Sequence, residues 1–273
     1  MKHGATSSPL SVKSIQKIFG SSFTDGNQVT LVWKDRESFQ SIFEAVREAK
    51  ELICLQFYIY RNDETGRELA DILKLKATEG VTVCLIYDHF GSICTPEAFW
   101  KELRQAGVQI RASRPFAWST PFHYMQRDHR KLIIIDSEKA FTGGLNIANE
   151  YRGYSRLRKK RGWRDTGIFL KGPIIIRLLD DFRKSWEIWK GSPLSPRPDV
   201  VMPEQGVPVL PIFASSAKGR RKMRKILYYS INSAQKSIYL TTAYFTPSRR
   251  MVQILEAAVS RGVDVKLLLP GVS

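Results

Sequence analysis

His129-Arg130-Lys131-Leu132-Ile133-Ile134-Ile135-Asp136 opens the stretch that decides the fold, and Phe141-Thr142-Gly143-Gly144-Leu145-Asn146 completes it. A histidine and a lysine two apart on a strand point to the same face. The apolar run behind them reads as the buried part of that strand, with residues 140–142 as its hairpin partner. A nucleophile, a cation and a neutral amide gathered by a glycine pair form a compact set suited to chemistry on a phosphodiester. His-x-Lys occurs once in the chain.

Outward from this stretch, strands alternate with helices. Residues 29–33 read as a strand. Residues 38–49 have helical spacing through Phe39, Ile42, Phe43 and Val46. Residues 52–60 are aromatic and β-branched, a buried strand. Residues 64–79 form an amphipathic helix stopped by Gly80. Residues 81–87 are a strand, 96–105 a helix and 108–111 a strand, followed by a loop over 115–128. Beyond the motif, 151–161 is basic and irregular, 165–170 reads as a strand, and Pro173 opens a helix to about Lys190. Ile175, Leu178, Leu179, Phe182, Trp186 and Trp189 stripe that helix, and its acidic residues favour a core-packing face over a lipid-facing one. The pattern predicts an α/β fold, a layered α-β-α sandwich with a mixed, largely parallel sheet.

Four segments follow along the chain. Residues 1–28 are rich in Ser, Thr and Gly and read as a loose lead-in. Residues 29–190 form one module, and 191–217 a linker with six prolines up to Pro211. Residues 218–273 begin with a dense basic run and resume the α/β pattern. There Ala234–Leu240 repeats Ala49–Leu55, and Gly262–Val265 repeats Gly80–Val83, in the same order and at nearly the same offset. The chain therefore reads as a duplicated module whose second copy is incomplete. A second His-x-Lys is expected about forty residues beyond Ser273.

The net charge of +17 favours polyanionic partners, either nucleic acid or an acidic lipid surface. Cys54, Cys84 and Cys94 lack metal-type spacing, and the first two lie inside apolar runs, as buried thiols do. No apolar stretch reaches membrane-spanning length, and none forms a signal peptide. His89 and His123 are read as structural or surface residues.

Asp136 lies five residues beyond Lys131, and Asn146 fifteen beyond it, after the glycine pair. This pattern resembles the HKD motif of the phospholipase D superfamily. The run from Gly143 to Ile147 and on to Tyr151, with Trp163-Arg164-Asp165-Thr166 downstream, is similar to bacterial cardiolipin synthases. The resemblance extends over nearly the whole of 29–273.

The resemblance implies a phosphatidyl transferase acting on phosphatidylglycerol. His129 would form a phosphohistidine intermediate or act as the complementary general acid. Lys131 and Asn146, with Gly144 beside them, would hold the non-bridging oxygens. Asp165 would accept the other ring N–H of His129. Asp136, the motif's own aspartate, has a chiefly structural role in the family. No metal or other cofactor is implied. The family builds one site from two such motifs, so this chain is expected to carry half of one and to be inactive or weak alone, unless a homodimer completes it. It would act as a peripheral protein on the cytoplasmic side of an anionic membrane. Two rivals stand beside this reading: a phosphodiesterase or nuclease of the same superfamily, and an inactive lipid- or nucleic-acid-binding fragment.

Overall fold

The computed structural model describes residues 11–33, 35–116, 127–153, 163–194, 205–214 and 216–270. Most of the 115–128 loop and of the basic 151–161 stretch, and residues 195–204 and 215 of the linker, therefore lie outside the described residues. The chain divides into two compact units, Met1–Phe23 with Ile212–Ser273, and Thr24–Pro211.

The N-terminal segment differs from the loose lead-in expected of it. Val12–Phe19 forms helix α1, whose first turn is capped by Ser11 accepting the Ser14 N–H at 3.2 Å. Gly20 ends it in the left-handed conformation, with φ 65°. Ser11 and Gly20, two of the residues that suggested looseness, are the caps of a short helix, and residues 1–10 lie outside the described residues.

The larger unit runs β1 (Thr24–Val32), α2 (Asp35–Arg47), β2 (Leu52–Phe57), α3 (Glu64–Thr78), β3 (Thr82–Asp88), α4 (Glu97–Gln105), β4 (Gln109–Ser113), β5 (Leu132–Ile135), β6 (Lys139–Gly143), β7 (Gly167–Lys171), α5 (Ile174–Ile188) and β8 (Val207–Val209). Its strands form one sheet in the order β4-β3-β2-β5-β6-β7-β1-β8. The sheet is mixed. β1, β2, β3, β4 and β6 share one direction, but the parallel ladders are β2–β3 and β3–β4, where helices make the crossovers. Every ladder from β2–β5 outward is antiparallel. The β5–β6 connection is a tight turn in which Asp136 and Ser137 both take positive φ. The linker also contributes structure: β8 pairs with β1 at the sheet edge, where Pro208 is tolerated.

Both faces of the sheet are covered. Ile53, Leu55, Phe57, Val83, Leu85, Ile133 and Ile135 face α2, α3 and α4 in one continuous core. The alternating residues Cys54, Cys84, Ile134 and Leu170 are buried too, and α5 packs on β1, β5 and β7. The apolar stripe of α5, from Ile174 to Trp186, is buried and is thus a core face. Cys54 and Cys84 are buried free thiols, and Cys94 is exposed. Among the described residues no helix is long and apolar enough to cross a membrane.

The smaller unit holds α1, α6 (Ala217–Ser233), β9 (Ser237–Thr241), α7 (Arg249–Ser260) and β10 (Asp264–Leu268). It repeats the order helix, strand, helix, strand of α2-β2-α3-β3. The parallel register Leu52↔Thr82 of the first copy has its counterpart in Ser237↔Asp264 of the second, as the sequence alignment requires. The turns also match. Gly80 and Gly262 have φ of 90° and 84°, Val81 and Val263 each donate to a carbonyl of the preceding helix, and Thr82→Glu51 and Asp264→Lys236 both measure 2.9 Å.

Candidate active site

The motif histidine and lysine stand just ahead of β5 and not on it as the sequence suggests. The β5 ladders begin at Gln56↔Leu132 and Leu132↔Thr142, so residues 127–131 have no ladder partners. Side chains hold that segment instead. Asp128 Oδ1 accepts the Arg130 N–H at 3.1 Å, and the Thr142 hydroxyl donates to the Lys131 carbonyl at 2.7 Å. Lys131 Nζ donates to the His129 carbonyl at 2.7 Å.

The shared face survives this change. The His129 ring stacks on Tyr58, with centroids 3.9 Å apart and planes 22° from parallel. Lys131 Nζ lies 5.5 Å from the centroid of the same ring. Arg130 points the other way, toward α5.

The electrostatics suit nucleophilic chemistry. Burial and then the Lys131 charge push the His129 pKa below its ordinary 6.5, while Asp88 and Asp128 pull it back up. His129 is thus neutral at physiological pH, with a ring lone pair available. Burial lowers the Lys131 pKa, and Asp165 and Asp128 oppose that shift. Asp128 itself is buried, which works to raise its pKa, but the Arg130 guanidinium prevails and holds it below the usual range.

Three expected roles change. Asp165 was assigned to His129, yet its field falls on Lys131, and its Oδ1 accepts its neighbour's N–H, from Thr166, at 2.7 Å. It sits directly over Gly144, where an added Cβ would come 1.7 Å from Oδ1, so only glycine admits the carboxylate. The Gly144 N–H is already donated to the Thr166 carbonyl at 2.9 Å and is not free for substrate.

Asn146 is 2% exposed. Its Oδ1 accepts the Ile59 N–H at 3.0 Å, and its Nδ2 donates to the Tyr151 hydroxyl at 2.8 Å. It braces the loops after β2 and β6 from a buried position, with one amide N–H given to Tyr151.

Asp136 lies outside the site altogether, at the opposite end of β5 from the motif pair. A strand rises roughly 3.3 Å per residue, so five residues separate it from Lys131 by well over 10 Å. Its carboxylate takes the N–H groups of Lys50, Glu51 and Leu52 at 2.9, 2.8 and 2.9 Å, fastening the start of β2.

Sequence reasoning missed Tyr58, Asp88, Asp128 and Arg130. Asp88 ends β3 and is 1% exposed, with Oδ1 accepting the Phe90 and Gly91 N–H groups at 3.0 Å each. Its position at the carboxyl end of a parallel strand was a usable signal, because sites in α/β sheets collect there. Asp128 and Arg130 flank His129 in sequence, but nothing local shows which way they point. Among the described residues no cluster of three or more His, Cys, Asp or Glu side chains could hold a metal ion.

The model of the family described as "Cardiolipin synthase, PLD-like domain" matches residues 42–183 and 227–273, covering the motif and both copies of the repeat. The chain belongs to this family. Cardiolipin synthase A of Pseudomonas syringae pv. syringae (strain B728a) is 37% identical over 247 residues, 89% of this chain and 51% of that protein. Cardiolipin synthase A of Pseudomonas fluorescens (strain SBW25) is 34% identical over 97% of this chain and 55% of that protein. The chain thus spans about half the length of the curated relatives it matches. In fold it resembles phosphatidylserine synthase from Haemophilus influenzae Rd KW20, with a TM-score of 0.60 and 16% identity over 94% of this chain and 65% of that one.

Proposed function

We propose that this chain supplies one half of a phosphatidyl-transfer site of cardiolipin synthase type. The observation that carries the reading is the pairing of a neutral His129 and a charged Lys131 on one aromatic ring, Tyr58. In the proposed reaction a ring nitrogen of His129 bonds to the phosphorus of phosphatidylglycerol as the bond to the leaving glycerol oxygen breaks. That alkoxide takes a proton from a general acid, and an incoming alcohol later returns the proton while displacing the histidine. Lys131 stabilises the non-bridging oxygens where charge concentrates, and Asp165 keeps Lys131 protonated. The general acid would come from a second His-x-Lys, in a longer polypeptide or a second copy of the chain, since these 273 residues hold one. The exposed Lys218, Arg221, Arg224 and Lys225 of α6 fit peripheral contact with an anionic bilayer, on its cytoplasmic side in this reading.

Acid quenching after mixing with vesicles of labelled phosphatidylglycerol tests the first step. Covalent label is expected on wild type and absent from His129→Gln. Failure of a wild-type homodimer to label at any vesicle concentration rejects the nucleophile role. Robust turnover by a purified monomer rejects the half-site reading, and gel filtration distinguishes a monomer from a completing homodimer. The net charge of +17 also favours a nuclease reading. Salt-sensitive cleavage of DNA without lipid transfer would select it.

A further inference from the structure

The segment carrying His129 and Lys131 has no ladder to hold it, so something else must set which way those side chains face. Arg130 sits between them and turns to the opposite face. Its Nε donates to both Asp128 oxygens, at 2.8 and 3.0 Å, and Nη2 bonds the same carboxylate. Nη1 pairs with Asp181, and Nη2 donates to the Ser185 hydroxyl at 2.9 Å. Asp181 and Ser185 lie one turn apart on α5, a polar notch in its otherwise apolar face. Gln56 of β2 adds a bond to Asp128 at 2.9 Å.

Stability alone does not explain this cluster. Its members are only partly buried, and ion pairs taken out of water often contribute no more than well-packed apolar residues of the same volume. What a guanidinium adds is direction, because its planar fork accepts its partners in one arrangement. With Arg130 fixed on α5, the alternation of an extended backbone turns His129 and Lys131 to the other side, where both meet Tyr58.

We propose that Arg130, clamped by Asp128 and by Asp181 of α5, is a positioning residue that holds His129 and Lys131 against Tyr58. This rests on the reading of His129 and Lys131 as the reacting pair. The clamp makes α5 part of the site although α5 supplies no group to the reacting atoms.

The test uses the full chain with labelled histidine, which has four histidines to resolve. His129→Gln identifies the His129 ring signal, and Tyr58→Leu shows where that signal falls without stacking. In Asp181→Asn and in Arg130→Lys the His129 signal is expected to move most of the way to its Tyr58→Leu position, while circular dichroism shows a retained fold. Ser185→Ala, which removes one bond and no charge, should move it the same way by less and serves if the other two variants do not fold. Variants that melt earlier with the His129 signal unmoved would overturn the proposal, leaving the clamp a support of the fold only. The spectra are taken without lipid. A moved signal in variants of a homodimer that takes no covalent label from phosphatidylglycerol would reject the function and keep the clamp; labelling with an unmoved signal would do the reverse.

Discussion

The two copies of the helix-strand-helix-strand unit share register, turn glycines and cross-strand bonds, yet they end in different surroundings. β2 and β3 lie inside an eight-stranded sheet, and nearly every residue in them is buried. β9 and β10 pair only with each other among the described residues, leaving Tyr239 65% and Leu268 62% exposed. The candidate site belongs to the first copy because the antiparallel strands β5, β6 and β7 extend its sheet and bring His129, Lys131 and Asp165 to one end of it. Among the described residues the repeat supplies a scaffold, and the candidate site of the first copy comes with the strands that extend its sheet.

The comparison breaks most sharply at the motif. His129→Gln should abolish covalent labelling while leaving the fold intact, since glutamine offers no nucleophilic ring nitrogen; the acid-quench assay measures this, and a variant that still labels would place the nucleophile elsewhere. Hydrogen exchange should then separate the two scaffolds. Amides of β2 and β3 should exchange more slowly than those of β9 and β10 by about a hundredfold or more, since buried strands open only with the whole domain. Equal rates would mean that the second copy is as well sealed as the first.

Asp136→Asn keeps a residue that tolerates the left-handed backbone but weakens the fastening of β2. Denaturant unfolding should show a loss of about 1–2 kcal/mol, with His129 undisturbed in the spectra. Gly80→Ala and Gly262→Ala form a matched pair. Both glycines have positive φ with nothing within 4 Å of an added Cβ, so each substitution should cost about 1 kcal/mol from backbone strain alone. Unequal losses would show that the turns are not equivalent.

The smallest expected effect is a pH dependence near neutrality that comes from His129. His129 titrates below its ordinary 6.5. Between the two values the unfolded chain binds a proton that the folded chain does not. Stability is therefore complete above 6.5 and declines as pH falls through that window. A His129 titration midpoint at or above 6.5, read from its ring signal, would contradict this.

Much of the architecture was legible because it rests on period and punctuation. Gly80 stopping α3, Pro173 opening α5 and the apolar runs of β2, β3 and β5 each carry a local signal. α1 and β8 were hidden for a physical reason. An eight-residue helix that buries only Phe19, and a three-residue edge strand containing a proline, are too short for a period to stand out from the surrounding polar sequence. Within the site, His129 and Lys131 were visible by spacing, whereas Asn146 read as an open donor because its partners, Ile59 and Tyr151, come from other loops. Asp165 looked like a partner of His129 for the same reason: spacing does not tell which neighbour a carboxylate meets.

By itself the sequence determined the α/β alternation, the repeat, the family motif and the candidate pair His129 and Lys131, because each is written in local spacing along the chain. Only the tertiary structure decided that the pair stands ahead of the strand on Tyr58, that Asp136 fastens β2 at the far end of β5, that the Asp165 charge acts on Lys131, and that Arg130 reaches α5. Those outcomes depend on which side chains meet across distant segments, and burial and charge pairing settle that only once the sheet and α5 have packed together.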